Sequence, residues 1–291
     1  MIALSLLLAA LTAAASPSQT PRMEPLIAQP AAAPQPETQD RVSPDTLCTK
    51  DKRWCAFLSR NVDLNTVTLN IYNGQLPPLI KDGRSYARDV GTYSVGAMVE
   101  DSENATMEIW PTIIRQPTPR DDGIKLNETI SIGVETGQST GYSGGGAQST
   151  SLQLYQLAPT IDGSVPDQGN FGIILQAPLS GYKMIRACFN EQDDKKRRGV
   201  CHDEYSFDAT LKLGKTMSNG FPQIIYQSTA ITTPGSSHLS DDNILRQLSA
   251  SDIKPRKDGK CSYRRIYTFD GELGGYFTPQ QMPDCSDYMV P

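Results

Sequence analysis

The chain has 291 residues, with 27 basic and 32 acidic side chains and a formal net charge of −5. This mild acidity argues against nucleic acid or anionic lipid as the main partner, because both favour positively charged proteins. Only two histidines, His202 and His238, are present. The sequence therefore offers little for a histidine-rich metal site or a neutral general base, and we expect neither a metal nor another cofactor.

The first segment of the chain resembles an export signal. An apolar run from Ile2 to Leu11 is followed by Ala13, Ala14 and Ala15. This run is too short to cross roughly 30 Å of hydrocarbon as a helix, and the small residues at its end suit signal peptidase. We predict a signal peptide over 1–15, no transmembrane segment in the mature chain, and a secreted protein of the bacterial periplasm or the extracellular space.

The next segment, 16–44, is rich in Pro, Ala and Gln and has almost no large apolar side chains. Such a composition cannot offset the entropy lost on ordering, so a disordered linker is predicted there. The folded domain is then 45–291. A stretch rich in Pro and Gly at 158–170 is interpreted as a loop within this domain, with a boundary between two subdomains as the alternative.

Beyond Cys55 the apolar residues recur with a period of two, which is typical of strands with one solvent-exposed face. The clearest alternation is in 66–71, 129–134 and 205–213; further strands are predicted at 92–99, 106–109, 151–157, 171–176, 182–189, 223–230 and 261–269. One helix is predicted at 240–251, with Ser240 as its N-cap. These elements predict an all-β fold, an antiparallel β-sandwich for which a jelly roll is one possible topology.

The six cysteines form three close pairs along the chain. Pairing neighbours gives the disulfides Cys48–Cys55, Cys188–Cys201 and Cys261–Cys285, each contributing about 2.5 to 3.5 kcal/mol by the loop-entropy model. A zinc site is disfavoured, because no pair has the C-x-x-C spacing and thiols oxidise outside the cytosol. An alternative in which the first pair tethers the start of the domain to the segment around Cys285 stays open.

A serine-hydrolase pattern occurs once. Gly141 to Gly145 matches G-x-S-x-G, which in esterases places a nucleophilic serine, here Ser143, at a turn between a strand and a helix. The residues that follow are glycines and then a predicted strand, so we favour a glycine loop between two strands. An esterase at Ser143 is kept as an alternative.

Two segments carry clusters of possible metal ligands. Residues 201–204 (Cys-His-Asp-Glu) are adjacent on a predicted strand, so at most two of them point to the same side. Asn61, Asp63 and Asn65 have the spacing of the first calcium-loop ligands but lack the glycine and glutamate that complete such a loop. We interpret both segments as ordinary polar structure.

The loop between Cys188 and Cys201 has an acidic cluster followed by Lys195, Lys196, Arg197 and Arg198. These four cations are candidates for binding a partner with an acidic patch, or for a constrained loop that inhibits a trypsin-like protease. The simpler interpretation is a solvated hairpin tip whose opposite charges neutralise one another.

A second candidate surface is aromatic. Tyr263, Arg265 and Tyr267 would share one face of their strand, and Tyr263 and Tyr267 could stack on a sugar. Ordinary core packing is the alternative. Taken together, the sequence predicts a non-enzymatic module that binds a protein or glycan of the cell envelope; a secreted hydrolase, acting through Ser143 or through paired carboxylates on a glycoside, is the alternative.

Overall fold

A computed structural model describes residues 20–29, 40–41, 46–61, 66–73, 79–81, 84–86, 89–97, 104–117, 128–157, 172–239 and 246–290. The strands are β1 (Arg22–Pro25), β2 (Ile27–Gln29), β3 (Asp40–Arg41), β4 (Thr46–Cys48), β5 (Trp54–Asn61), β6 (Thr66–Asn73), β7 (Leu79–Lys81), β8 (Arg84–Tyr86), β9 (Asp89–Ala97), β10 (Ala105–Pro117), β11 (Glu128–Tyr142), β12 (Gly145–Leu157), β13 (Ile173–Arg186), β14 (His202–Ser218), β15 (Phe221–Thr233), β16 (Arg256–Lys257), β17 (Arg264–Asp270) and β18 (Gly275–Phe277). A helix, α1 (Glu191–Lys196), and a 3-10 turn, η1 (Ser286–Tyr288), complete the elements.

These strands form two main antiparallel sheets. The larger has the order β1-β10-β11-β12-β13-β14-β15-β17-β18, with β16 also paired to β15; the smaller has the order β2-β4-β5-β6-β9, with β3 paired to β5. A separate hairpin joins β7 and β8. The predicted all-β antiparallel fold is confirmed. The two segments predicted at 171–176 and 182–189 are parts of the single strand β13, whose pairing with β12 shifts register at Pro178.

The first core lies between the two sheets. One face of β10, β11 and β12 packs against β5 and β6, and the strand periodicity places alternate apolar residues there. Its largest member, the Trp54 side chain, is 1% exposed. The core contains Leu26, Trp54, Ala56, Leu58, Val67, Leu69, Ile71, Ile109, Ile113, Ile130, Ile132, Val134, Tyr155 and Leu157.

A second core lies on the other face of the larger sheet, which curls over itself. The neighbours Ile113 and Ile114 enter different cores, as do Tyr155 and Leu154, so β10 and β12 are buried on both faces. The Gln116 side-chain amide donates to the carbonyl of Gly220 and so joins β10 to the β14–β15 turn. The second core contains Ile114, Leu154, Ile174, Leu175, Ala177, Tyr205, Phe207, Ile224, Tyr226, Ala230, Cys261, Tyr267, Phe269, Tyr276 and Tyr288.

The segment predicted as a disordered linker contains strands in its described parts. Within 20–29, β1 pairs with β10 of the larger sheet and β2 pairs with β4 of the smaller sheet. Between them Leu26 is buried, and its N–H donates to the carbonyl of Pro111 at 3.1 Å. The prediction was wrong for this stretch because edge pairing satisfies backbone groups whatever the side-chain composition. The predicted signal peptide lies outside the described residues, as does the loop at 158–170.

The described part of the segment predicted as a helix, residues 246–251, is not helical. Of the segment 240–251, residues 240–245 lie outside the described residues and 246–251 contain no helix. There the Asp252 carboxylate accepts hydrogen bonds from the N–H and hydroxyl of Ser249, and the N–H of Leu248 donates to Lys196 instead of to its own segment. Such side-chain and tertiary bonds compete with helix formation.

The observed helix, α1, lies in the disulfide-closed loop. The side chain of Asn190 caps it by accepting from the N–H groups of Gln192 and Asp193. Acidic residues occupy its first turn, and Lys195 and Lys196 its last, as the helix dipole favours. The acidic and basic halves of this loop are therefore the two ends of one short helix.

The three predicted disulfides are confirmed. Cys48–Cys55, Cys188–Cys201 and Cys261–Cys285 have Cα–Cα distances of 4.1, 4.8 and 5.7 Å. Cys48 and Cys55 are directly opposite each other on β4 and β5. This local pairing excludes the alternative in which one of them is bonded to Cys285.

An ion-pair network joins the two sheets near the N-terminal strands. The buried guanidinium of Arg115 lies 2.8 Å from carboxylate oxygens of both Glu24 and Asp51. Burial raises the pKa of Asp51, but hydrogen bonds from Thr49, Arg115 and the N–H of Arg53, with the charge of Arg115, together lower it to about 2.

We expect the Asp51→Asn variant to be less stable than the wild type at neutral pH, since the ionised carboxylate is favoured in the folded state. The pKa of Asp51 is lower in the folded than in the unfolded state. The stability that the ionised carboxylate contributes is therefore complete above pH about 4 and is lost as the pH falls towards about 2. Urea unfolding at several pH values measures the difference. An equal loss at neutral and acidic pH would contradict the role of the charge.

Candidate functional site

A cleft of about 280 Å³ opens where β14 begins and β15 ends. Tyr205 and Thr232, which are opposite each other on these two strands, form part of its floor. One wall is the segment that follows β15, including Ser237, His238 and Leu239; the others are 256–260 and the last residues of η1.

The wall after β15 is fixed by backbone contacts. The N–H of Gly235 donates to the carbonyls of Asp252 and Lys254, at 2.8 and 3.0 Å. A Cβ atom at Gly235 would lie 2.5 Å from the Lys254 carbonyl oxygen and 2.6 Å from the Cβ of Arg256. Only glycine allows this approach, so the segment that follows is held close to the basic wall.

The basic wall is a short strand followed by a turn. Arg256 pairs with Thr232, and the N–H of Asp258 donates to the carbonyl of Ala230 at 2.9 Å. The Asp258 carboxylate then accepts from the N–H of Lys260 at 2.7 Å, which fixes the Asp258-Gly259 turn. Arg256, Lys257 and Lys260 are therefore exposed along one rim of the cleft.

The third wall is attached by a disulfide. Cys285, bonded to Cys261, immediately precedes η1, and η1 contributes Asp287 and Tyr288 to the cleft. The ring of Tyr288 packs edge-on to that of Tyr205, with 6.2 Å between ring centroids. A Cβ atom at Gly181 of β13 would overlap the backbone carbonyl of Tyr288, so η1 lies directly on that strand.

Hydrogen bonds connect three of the hydroxyl groups among the lining residues to buried or half-buried acids. Tyr288 donates to Asp258 at 2.8 Å, and the oxygens of Thr232 and Tyr288 are 3.4 Å apart. Ser237 donates to Asp203 at 2.6 Å. Burial raises the pKa of Tyr288 to about 12, so its phenol keeps its proton at neutral pH.

The rim is more basic than the protein as a whole. Three cations, Arg256, Lys257 and Lys260, line the cleft together with two carboxylates, Asp258 and Asp287. Both Asp258 oxygens accept hydrogen bonds within the fold. The charged groups that line the cleft therefore have an excess of one positive charge, three cations against two carboxylates, whereas the whole chain carries −5.

One of the four cations predicted to bind a partner is unavailable. Arg197 is 0% exposed; its guanidinium lies 2.5 Å from the carboxylate of Asp203, which is 1% exposed. It also donates to the carbonyl of Val200 at 2.9 Å. The prediction fails for Arg197 because the disulfide-closed loop folds back over the start of β14, which sequence spacing does not reveal.

Lys195, Lys196 and Arg198 are exposed, and a partner for them remains a prediction. Lys195 and Lys196 end helix α1, and Arg198 has a φ of +56°. A loop that inhibits a protease by mimicking its substrate needs an extended backbone. This conformation therefore weighs against the inhibitor interpretation.

The two tyrosines predicted to stack on a sugar instead pack in the protein. Tyr267 is 6% exposed, and the rings of both Tyr263 and Tyr267 contact Tyr226, with centroids 5.8 and 6.3 Å away. The guanidinium of Arg265 covers Tyr263 at 4.8 Å. The side of the strand that they share faces the second core, so Tyr267 is not available as a sugar platform.

Ser143 lies in the tight turn of the β11–β12 hairpin. Gly144 has a φ of +102°, and strand β12 begins at the next residue. The turn therefore lacks the strand-to-helix geometry of a nucleophile elbow. The structure agrees with the interpretation of this motif as a glycine loop between two strands.

The structure brings together one cluster of metal-ligand types that the sequence did not suggest. Ligand atoms of Cys188, Asp194 and Cys201 lie within 4.8 Å of one another, but both sulfurs belong to a disulfide and are not thiolates. Of the segments that the sequence did suggest, 201–204 therefore loses Cys201 to the disulfide. Asp203 is committed to Arg197. Residues 62–65 of the calcium-like spacing lie outside the described residues.

Sequence reasoning missed the cleft. Its local signal is the basic run 254–260, in which cations flank the Asp258-Gly259 turn. Nothing local connects that run with Ser237 or Tyr288.

Comparison of the chain with protein-family models, curated proteins and solved structures finds no match. Among the described residues, no helix has the length and apolar character needed to cross a membrane. The fold and the three cystines define the class: a disulfide-stabilised antiparallel β-protein with two packed sheets.

Proposed function

We propose that the protein is an exported, non-enzymatic binding module whose cleft takes the anionic group of an envelope or extracellular glycan. The observation that carries this proposal is the presence of Arg256, Lys257 and Lys260 in the lining of one cleft, together with the hydroxyl-bearing Ser237, Thr232 and Tyr288, in a chain that is acidic as a whole. Export is supported by the leader at 1–15 and by the three disulfides, which persist in oxidising compartments.

The chemistry of the cleft suits an acidic sugar. The guanidinium of Arg256 can bind a carboxylate through two hydrogen bonds, and the lysines add charge without a fixed direction. Ser237, Thr232 and Tyr288 provide polar contacts for hydroxyl groups. At about 280 Å³ the cleft lies at the small end of ligand pockets, which suits one sugar residue of a longer chain.

A triple variant, Arg256→Ala with Lys257→Ala and Lys260→Ala, tests the proposal. We expect the wild type to bind polygalacturonate and the triple variant to bind it about tenfold or more weakly, because charge attraction to the carboxylate is lost. Binding of the wild type should also weaken as salt is added, since these cations are exposed. Isothermal titration calorimetry at two salt concentrations measures both effects.

The matched control removes three exposed cations elsewhere, through Lys195→Ala, Lys196→Ala and Arg198→Ala. It changes the net charge by the same amount as the cleft variant. Because none of these three residues lines the cleft, the control should retain the wild-type affinity. If this control loses binding and the cleft variant keeps it, the ligand site is the loop of α1. Equal binding of neutral dextran would contradict a site that selects charge.

A glycoside hydrolase is the second candidate, because Asp258 and Asp287 line the same cleft and paired carboxylates catalyse glycoside hydrolysis. We favour binding, since both oxygens of Asp258 are occupied in holding the turn and Tyr288. Incubation with polygalacturonate should release no reducing ends. Release that is abolished by Asp287→Asn would replace the binding proposal with the enzyme.

A further inference from the structure

We infer that the cleft selects ligands that carry hydroxyl donors beside their anionic group, because three of the hydroxyls among its lining residues, those of Ser237, Thr232 and Tyr288, have already given their protons to the protein. This inference rests on the proposed function and narrows its ligand to a polyhydroxy carboxylate, such as a uronic acid. Its basis is the direction of the hydrogen bonds made by Ser237, Thr232 and Tyr288.

Ser237 has one proton, and it is committed. The hydroxyl donates to Asp203 at 2.6 Å, and Asp203 is ion-paired with Arg197. An ionised carboxylate has no proton to return, and arginine only donates. Since both Arg197 and Asp203 are buried, this arrangement is shielded from solvent. The hydroxyl of Ser237, a residue that lines the cleft, therefore has only lone pairs to offer a ligand.

Tyr288 and Thr232 form a second chain with the same polarity. Tyr288 donates its only proton to the Asp258 carboxylate at 2.8 Å. In the 3.4 Å contact between Thr232 and Tyr288, the donor is then Thr232. Both protons are thus directed along the hydrogen-bond chain that ends at Asp258, so these two hydroxyls have lone pairs and no proton to offer a ligand.

A ligand must match this polarity. An acceptor that is buried against a group with no donor remains unsatisfied, and sites built to bond a hydroxyl discriminate strongly against analogues that lack it. The rim cations require an anion, and the hydroxyls of Ser237, Thr232 and Tyr288 require donors. A sugar acid supplies both, with its carboxylate towards Arg256, Lys257 and Lys260 and its hydroxyls towards Ser237 and Tyr288.

Three probes of similar size separate the two requirements: D-glucuronate, D-glucose and cyclohexanecarboxylate. Glucuronate has the carboxylate and the hydroxyls, glucose has only the hydroxyls, and cyclohexanecarboxylate has only the carboxylate. By calorimetry or ligand-observed NMR, we expect glucuronate to bind about tenfold or more tightly than either of the others.

Cyclohexanecarboxylate binding as tightly as glucuronate would overturn the inference and leave the anion site of the proposed function intact. A protein that binds neither glucuronate nor polygalacturonate would overturn both. If glucose binds as tightly as glucuronate, the anion is not required, and the proposed function is overturned as well.

Ser237→Ala tests the named acceptor. We expect it to weaken glucuronate binding about tenfold and to leave cyclohexanecarboxylate binding unchanged, since only the former has a donor for the serine oxygen. The control is Ser236→Ala, because this neighbouring hydroxyl is buried without a hydrogen-bond partner in the described structure and does not line the cleft. It should keep the wild-type preference.

Because Ser237 also bonds to Asp203, thermal unfolding is measured in parallel. If Ser237→Ala does not fold, Tyr288→Phe provides the second test: it removes the hydroxyl of a lining residue and keeps the ring that packs against Tyr205. This variant is expected to weaken the binding of glucuronate more than the binding of cyclohexanecarboxylate. An equal effect on both probes would overturn the inference.

Discussion

Replacing Arg197 with alanine is expected to destabilise the protein by about 3 to 5 kcal/mol, because it leaves the carboxylate of Asp203 buried without its counter-charge. Arg197 and Asp203 are 0% and 1% exposed, so water cannot replace the missing partner without local opening. The second oxygen of Asp203 has no hydrogen-bond partner among the described residues, which leaves the ion pair and Ser237 to support the charge. The free energy of unfolding in urea at neutral pH measures the effect.

Arg198→Ala is the matched control for this prediction. Arg198 is the next residue and is exposed, and its removal should change the stability by no more than about 0.5 kcal/mol. A double variant, Arg197→Met with Asp203→Leu, should recover most of the lost stability, since a buried ion pair can often be replaced by apolar residues. Equal stability of the Arg197→Ala and Arg198→Ala variants would contradict the buried pair.

The second large effect is expected on removing the Cys261–Cys285 disulfide by Cys261→Ser with Cys285→Ser. The sequence separation of the two cysteines is 24, for which the loop-entropy model gives a loss of about 3.5 kcal/mol. This disulfide also fixes η1, which supplies Tyr288 and Asp287 to the cleft. We therefore expect a large fall in both the free energy of unfolding and the affinity for polygalacturonate.

The Cys48–Cys55 disulfide provides the comparison. It has a separation of 7 and joins β4 to β5 in the smaller sheet, so its removal should cost about 2.5 kcal/mol by the same model. Since neither cysteine lines the cleft, glycan binding should be retained in that variant at a temperature where it is folded. Binding retained without the Cys261–Cys285 disulfide would mean that the packing of Tyr288 alone holds η1.

Several features could be predicted because their signals are local in the sequence. The alternation at 129–134 and 205–213 predicts β11 and β14, since a strand exposes alternate side chains to opposite faces. Close spacing predicted the disulfides for a related reason: cysteines separated by short loops meet readily in antiparallel strands and turns.

Local signals misled at 240–251. The N-cap residue Ser240 indicates a helix there, yet the described part of this segment bonds instead to Asp252 and to the end of α1. Helix propensity is a weak preference of less than about 1 kcal/mol per residue, which tertiary contacts exceed. In the loop at 188–201 the sequence failed to predict a helix that is present. A helix of only six residues, even when well capped, has too short a pattern to recognise.

The sequence by itself determined the fold class and favoured the cystine pairs between neighbouring cysteines, because strand periodicity and short loops are properties of neighbouring residues. Tertiary structure alone decided that Arg197 is buried against Asp203. It also decided that Ser237, Arg256 and Tyr288 meet around one cleft. The reason is physical: the burial of a charge and the convergence of walls depend on strand register and on how the larger sheet curls, which are set by contacts between residues far apart in the chain.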